Sequence, residues 1–440
     1  MPGEPAAEEP APAVQHQASL LTVLREWGRI GCIGFGGPPA HIALLRQLCV
    51  DRRKWLDAQE FEDAIAACNL LPGPASTELA IFCAWRVRGR PGALAGGLAF
   101  IVPGLICILA LSALFLEGTP PLWVKGAGAG AGAAVAAVAV QAGWTLLGPS
   151  WTRARANDTA RRFRWGAYLL AGGAASATIG PWLVLVLLGC GIIELAIREG
   201  RGGTAGAAAG GAGGASTTGG GGGTGGATGK ARGIAGLPAL GLPVLGVAGA
   251  GRVARLAGAA AGGGVLAGVA WVAFKVGALS FGGGFVIIPL MRADAVGRGW
   301  MTSAQFLNAV ALGQITPGPV VQTVSAVGYA AAGMGGGLLA ALVAFSPSFA
   351  FVLVGARYFS ALRASRRAQA FLDGSGPAAI GAILGSAVLL AGALSEAWQY
   401  AVLAGAAVLL LGLRRGVVLT LLAAAAIGVV IALAGAPLPH

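Results

Sequence analysis

The chain has 440 residues, of which 56% are hydrophobic and only 11% charged, and it carries a formal net charge of +13. That balance excludes a soluble globular protein, because one core cannot hide so much apolar surface, and a mean hydropathy of +0.76 places the chain in a bilayer. The positive charge does not read as a nucleic-acid surface: it falls in short clusters between apolar runs, "RVRGR" (86–90), "RARANDTARRFR" (153–164) and "RASRR" (363–367), the pattern of cytoplasmic membrane loops.

In chain order, residues 1–18 are acidic and Pro/Ala-rich; they are expected to be disordered and not a secretory signal, so the spans themselves direct insertion. An N-terminal repeat follows over 19–200, all-α, with a first span near 20–45 and a re-entrant hairpin near 58–88. Further spans are predicted near 92–116, 121–147, 166–180 and 182–197, the longer of them meeting the roughly 20 apolar residues that a crossing needs. Residues 201–250 read as a flexible glycine-rich linker. Its "GATGK" is not a phosphate-binding loop, since Thr224 replaces the required glycine and Ala231 follows the lysine. A second repeat occupies 251–440.

The chain is written twice. A shift of 246 lays Arg29 on Lys275, Gly31 on Gly277, Phe35-Gly36-Gly37 on Phe281-Gly282-Gly283 and Arg46 on Arg292. One residue less lays Trp55 on Trp300, Phe61 on Phe306, Asn69 on Gln314, Pro72-Gly73-Pro74 on Pro317-Gly318-Pro319, Gly92 on Gly337 and Phe100 on Phe345. The charge bias reverses between copies: 86–90 is basic and 117–121 is not, whereas "YAAAGMGGG" carries no charge and 357–367 carries four arginines. By the positive-inside rule the copies lie upside down to one another, an inverted repeat of five spans and one hairpin each, about ten transmembrane helices plus broken ones. The linker then lies in the cytoplasm, and Arg292 and Arg298 fall outside against the rule.

Backbone that leaves helical geometry at membrane depth survives only where protein or a water-filled cavity satisfies it, so the breaks mark a site. "LLPGPASTELAIF" (70–82) reads as one half-helix, a turn at Pro72-Gly73, and a second half-helix begun by Pro74, its amides and positive dipole end aimed inward beside Ser76 and Thr77. Copy two offers Thr316, Gln322 and Thr323 there, with the amides of Asn69 and Gln314 alongside. Gly36-Gly37-Pro38 and Gly282-Gly283-Gly284 either line anion-binding concavities or let helices pack closely. Arg29 and Lys275 are either site cations or side chains that snorkel to an interface. Glu78 is either a proton-coupling group or an acid suited to a first helical turn. His41 faces Ile287 in the repeat and shares no role with it; Glu60, Glu62 and Asp63 read as a solvated or charge-paired helix end. The six cysteines read as packed thiols, with neither a zinc site nor a disulfide framework, and no cofactor is expected. A site of this composition asks for an oxyanion.

The paired elements GFGGP (34–38) with LLPGP (70–74), and SFGGG (280–284) with ITPGP (315–319), resemble the chromate transporter family in its long, two-halved form. The resemblance implies export of chromate from the bacterial cytoplasm across the inner membrane, driven by the proton motive force and conferring chromate resistance. By position it implies that Phe35, Gly36, Gly37, Pro38, Pro72, Gly73 and Pro74, with Phe281, Gly282, Gly283, Gly284, Pro317, Gly318 and Pro319, form the site, and that glutamine would stand where this chain has Glu78. The partners expected are a chromate- or sulfate-like oxyanion and the lipid bilayer, with a homodimer left open. Sulfate or another oxyanion as substrate, and a passive anion channel, are the alternatives; an enzyme is not expected, since no nucleophile constellation or metal cluster appears.

Overall fold

The computed structural model describes residues 18–69, 73–116, 120–155, 159–178, 182–210, 263–280, 286–355 and 365–439, and every regular element among them is helical. Copy one opens with α1 (Leu20–Ile33), capped by Ser19, whose hydroxyl accepts from the Thr22 amide. The expected single span over 20–45 is two half-helices. Gly36 and Gly37 take φ of 97° and 73°, which no helix admits, and Pro38 and Pro39 then start α2 (Pro38–Arg46), which runs on as a π-turn over Gln47–Arg52. α3 (Ala58–Cys68) begins at Asp57, which caps the Glu60 amide, and the chain turns back into α4 (Ala75–Leu116).

α4 is itself a hairpin. Arg88 (φ −144°, ψ 20°) and Gly89 (φ 64°, ψ −154°) leave helical geometry, and the second is a conformation open only to glycine. A Cβ on Gly96 would stand 2.5 Å from Ala84 Cβ, although twelve residues of straight helix span about 18 Å, so residues 75–87 and 90–116 lie side by side. Trp27 secures the first limb to α1 by donating from Nε1 to the Ala80 carbonyl at 2.8 Å, which satisfies a wholly buried indole. α5 (Leu122–Arg155), α6 (Thr159–Thr178) and α7 (Leu183–Gly210) complete the copy. α7 continues ten residues into the stretch expected to be linker; residues 1–17 and 211–262 lie outside the described residues.

Copy two repeats the plan as α8 (Gly263–Ala278), α9 (Ile287–Gly297), α10 (Ser303–Ile315), α11 (Thr323–Gly355), α12 (Arg366–Ala391), α13 (Ala397–Ala407) and α14 (Val417–Leu433). Thr302 caps α10 where Asp57 caps α3, and α11 reverses at Ala332 (φ −151°, ψ 31°) and Gly333 (φ 61°, ψ −154°), the same pair of conformations as Arg88 and Gly89. The register expected from sequence slips here. Gly31 packs on the carbonyl of Phe100 and Gly277 on that of Ala344, so Phe100 answers to Ala344 rather than Phe345, and Gly92 to Gly336 rather than Gly337. Copy two has one residue fewer between its Pro-Gly-Pro and its reversal, and it enters α11 through a 3₁₀ turn at Val320–Gln322.

The halves interlock. α4 lies against α11, α5 packs on α13 and α14 of the other copy, and α12 packs on α6 and α7. Small residues bring the backbones together: a Cβ on Gly130 would lie 2.1 Å from the Ala424 carbonyl, and one on its counterpart Gly374 2.2 Å from that of Cys190. Four described helices are long and apolar enough to cross a membrane: α4, α5, α11 with its 3₁₀ turn, and α12. Shorter apolar helices span Gly264–Ala278, Ala397–Gly412 and Val417–Leu433. The chain is a multi-pass membrane protein.

Candidate functional site

The Pro-Gly-Pro turn of each copy meets a proline-interrupted helix of the other. In copy two, the tip presses on α4 just after Pro103: a Cβ on Gly104 would stand 2.0 Å from the Pro317 carbonyl and 2.4 Å from Gln322 Oε1, and Gln322 Nε2 donates to the Ile101 carbonyl at 2.7 Å. In copy one, Gly73 lies beside Glu78, whose Oε1 is 2.0 Å from where a Gly73 Cβ would be, and beside Ser348, which follows Pro347 in α11. Gly318, at φ 90°, donates its amide to the Gly34 carbonyl at 3.0 Å, so the glycine break of one copy is bonded to the Pro-Gly-Pro break of the other.

His41 ties copy one's two breaks together. Its Nε2 lies 2.9 Å from the Gly34 carbonyl and its Nδ1 3.2 Å from Ser76 Oγ, with the ring edge-on to Phe100 at 5.0 Å. A carbonyl only accepts, so Nε2 carries the proton, and in the neutral ring Nδ1 accepts from the Ser76 hydroxyl. His41 is wholly buried and lines the join. The sequence comparison set it aside because Ile287 opposes it; the signal it carried was that of a histidine inside a glycine-broken apolar helix.

Some of the expected ligands are already engaged. Ser76 serves His41, Thr323 Oγ1 donates to the Val320 carbonyl at 2.8 Å, and the Gln322 amide serves Ile101. Others are buried with no hydrogen-bond partner: Thr77 Oγ1, both Glu78 oxygens, Gln314 Nε2, Gln322 Oε1, and the hydroxyls of Ser280, Ser325 and Ser348. Thr316 is buried at the end of α10, where its amide bonds to Leu312, and Pro74 is buried ahead of α4. Asn69 is exposed at the end of α3, Phe35 is 43% exposed, and Gly36 is exposed beside the half-buried Gly37 and Pro38. Pro72 and the Phe281, Gly282, Gly283, Gly284 run lie outside the described residues.

The two cations do not join this cluster. Lys275 is ion-paired to Asp294, which Arg298 also approaches at 3.5 Å, and its ammonium lies 5.8 Å from the Trp271 ring. Arg29 is exposed on the outer surface of α1. Asp294 was the missed residue, an acid in an apolar helix that only the fold brings to Lys275. The acids before the first break are charge-paired as expected, Glu60 with Arg86 and Glu62 with Arg46.

Two intertwined, proline-broken helical repeats define a multi-pass membrane protein, and its relatives are transport proteins rather than enzymes. The chain belongs to the chromate transporter family, whose profile matches residues 21–195 and 267–429, one stretch in each copy. It is 28% identical over 390 residues to a chromate transport protein of Pseudomonas aeruginosa, covering 87% of this chain and 84% of the relative. It is 29% identical over 366 residues to the chromate transport protein of Cupriavidus metallidurans, covering 82% and 80%. An uncharacterized transporter of Methanocaldococcus jannaschii is 23% identical over 354 residues, 79% of each chain. No solved structure matches the chain.

Proposed function

We propose that the protein exports chromate from the bacterial cytoplasm across the inner membrane, using a single site between the two Pro-Gly-Pro tips that opens alternately to either side. The observation that carries this reading is the meeting of copy two's Pro-Gly-Pro tip with copy one's glycine break, marked by the Gly318 amide on the Gly34 carbonyl, together with the buried polar atoms left without partners on the helices that carry the breaks. A buried donor left unpaired costs about 1–3 kcal/mol, and a tetrahedral oxyanion accepting from Thr77, Gln314, Ser325 and Ser348 recovers that cost. The starts of α4 and of the 3₁₀ turn at Val320 add free backbone amides and positive dipole ends. Neutral donors of this kind replace hydration while leaving the anion free to depart, which transport needs and tight storage does not.

The copies are read as inverted, so that one tip enters from each face and rocking of one half against the other exchanges access. Export of a dianion is favoured by a negative-inside potential, worth about 2.3 kcal/mol per charge per 100 mV, which is the electrical part of the proton motive force. Glu78 is the candidate proton-coupling group. Sulfate, of like shape and charge, asks for the same donors and is the second substrate to consider.

The test is chromate accumulation by inverted membrane vesicles energised with an interior-positive membrane potential, with sulfate as competitor. Accumulation abolished by an uncoupler and reduced by sulfate is expected. Flux that follows the chromate gradient alone, indifferent to energisation, makes the protein a passive channel.

A further inference from the structure

We propose that a proton travels with the anion, not against it, and that Glu78 of copy one is its carrier. The proposal rests on the reading that the tips hold an oxyanion. The two tips are built alike but are chemically unequal: where copy one has His41 and Glu78, copy two has Ile287 and Thr323. Of the two titratable groups, His41 has both ring nitrogens engaged, by Gly34 and Ser76. Glu78 is wholly buried with neither oxygen bonded.

The surroundings of Glu78 are neutral. Gly73 lies against the carboxyl, with the Ser348 hydroxyl of α11 also near Gly73; Thr77 precedes Glu78, and Cys68 at the end of α3 is the titratable neighbour; among the described residues no basic side chain bonds to it. It lies in the first turn of α4, the turn that receives the anion in the reading above. An ionised carboxylate there repels a dianion through a medium that screens poorly. Anion and proton therefore favour each other's binding, and by linkage the effect is reciprocal. An exchanger needs the opposite, a site in which each expels the other. The loaded carrier thus holds one dianion and one proton, both taken from the same side and released on the other. No bond in the oxyanion is broken and no electron moves, so a net single negative charge crosses per cycle.

That stoichiometry is read from the voltage that stops flux. In proteoliposomes of the full chain with equal pH on both sides and a tenfold chromate gradient, one net charge per cycle balances at about 59 mV, a bare dianion at about 30 mV, and a dianion exchanged for a proton at about 20 mV. The wild type is expected to balance near the first value, and a tenfold proton gradient is expected to stand in for a tenfold chromate gradient. Glu78→Gln keeps the side chain's shape and neutrality; whatever chromate flux it carries is expected to balance near the second value and to have lost the response to pH gradient. A wild-type balance near 30 mV or 20 mV overturns the proposal whether or not the variant folds. Absence of any chromate flux in the wild type overturns the oxyanion reading itself, and shows as no flux at any voltage.

Discussion

At the scale of single residues, the contacts at the tips make glycine substitutions unequal in a way that separates packing from chemistry. A Cβ on Gly104 meets the carbonyl of Pro317, which is backbone and cannot swing aside. A Cβ on Gly73 meets the far end of the Glu78 side chain, which can. Gly104→Ala is therefore expected to reduce chromate flux at least tenfold and to lower thermal stability, since overpacking of this kind costs about 1–3 kcal/mol. Gly73→Ala is expected to leave stability within about 0.5 kcal/mol of wild type while altering proton dependence, because it displaces the carboxyl and little else. Stability from thermal unfolding in detergent and flux from the same preparation check both. Equal destabilisation by the two would remove Glu78 from the place described. The breaks themselves were legible, since glycines and prolines inside apolar runs announce them. Gly104 and Ser348 were not, because what makes them matter is the opposing copy, 200 residues or more away in the chain. Lys275 shows the converse: its match to Arg29 singled it out, but its partner Asp294 has no counterpart in copy one, where Leu48 or Cys49 stands, so repeat comparison was blind to the pair.

At the scale of elements, the reversals in α4 and α11 are the most closely repeated features of the fold. Gly89 and Gly333 share φ near 60° and ψ of −154°, and a side chain at either is strained by roughly 1–3 kcal/mol. Gly89→Ala and Gly333→Ala are expected to lower stability by similar amounts, and a large effect from one alone would break the equivalence of the two hairpins. The seams between halves are less alike. Where Gly130 packs on Ala424 and Gly428, its counterpart Gly374 packs on Cys190 and Glu194, so Glu194 takes the place of Gly428. Glu194 accepts two bonds from Arg164, one from Arg198 and one from the Tyr168 hydroxyl, while Arg161 and Arg198 hold Asp373 across the seam. Glu194→Gln leaves half-buried guanidinium groups short of their counter-charge. It is expected to cost about 3 kcal/mol, less whatever solvent reaches Arg198, with the loss read as a lower unfolding temperature. A gain in stability would mean that the cluster serves motion rather than cohesion.

At the scale of the whole molecule, composition alone placed the chain in a bilayer, and self-comparison found two copies. The interlocking of α5 with α13 and α14, and of α12 with α6 and α7, was not legible, because helices that face other helices through glycine and alanine look in sequence like helices that face lipid. The orientation of the copies was argued from arginine clusters only, and it has a direct test. Arg90 and Met334 occupy equivalent exposed positions just past the two reversals, Met334 being 49% exposed. In a chain whose exposed Cys32 and Cys107 are replaced by alanine, the four remaining cysteines are buried and shielded from an aqueous thiol reagent. Single cysteines introduced at 90 and 334 then report the side each reversal faces. Five crossings per copy put them on opposite faces: Arg90→Cys labels from the cytoplasmic side, in inverted vesicles, and Met334→Cys from the other, in right-side-out spheroplasts. The reason is structural as well as statistical, since a tip that enters from one face returns to it at the next reversal, and copy two's tip, bonded through Gly318 to Gly34 of copy one, lies opposite copy one's tip only if the reversals point apart. Labelling of both from one side would make the repeat parallel, and the alternating-access argument, which depends on two halves exchanging roles across a midplane, would fall with it.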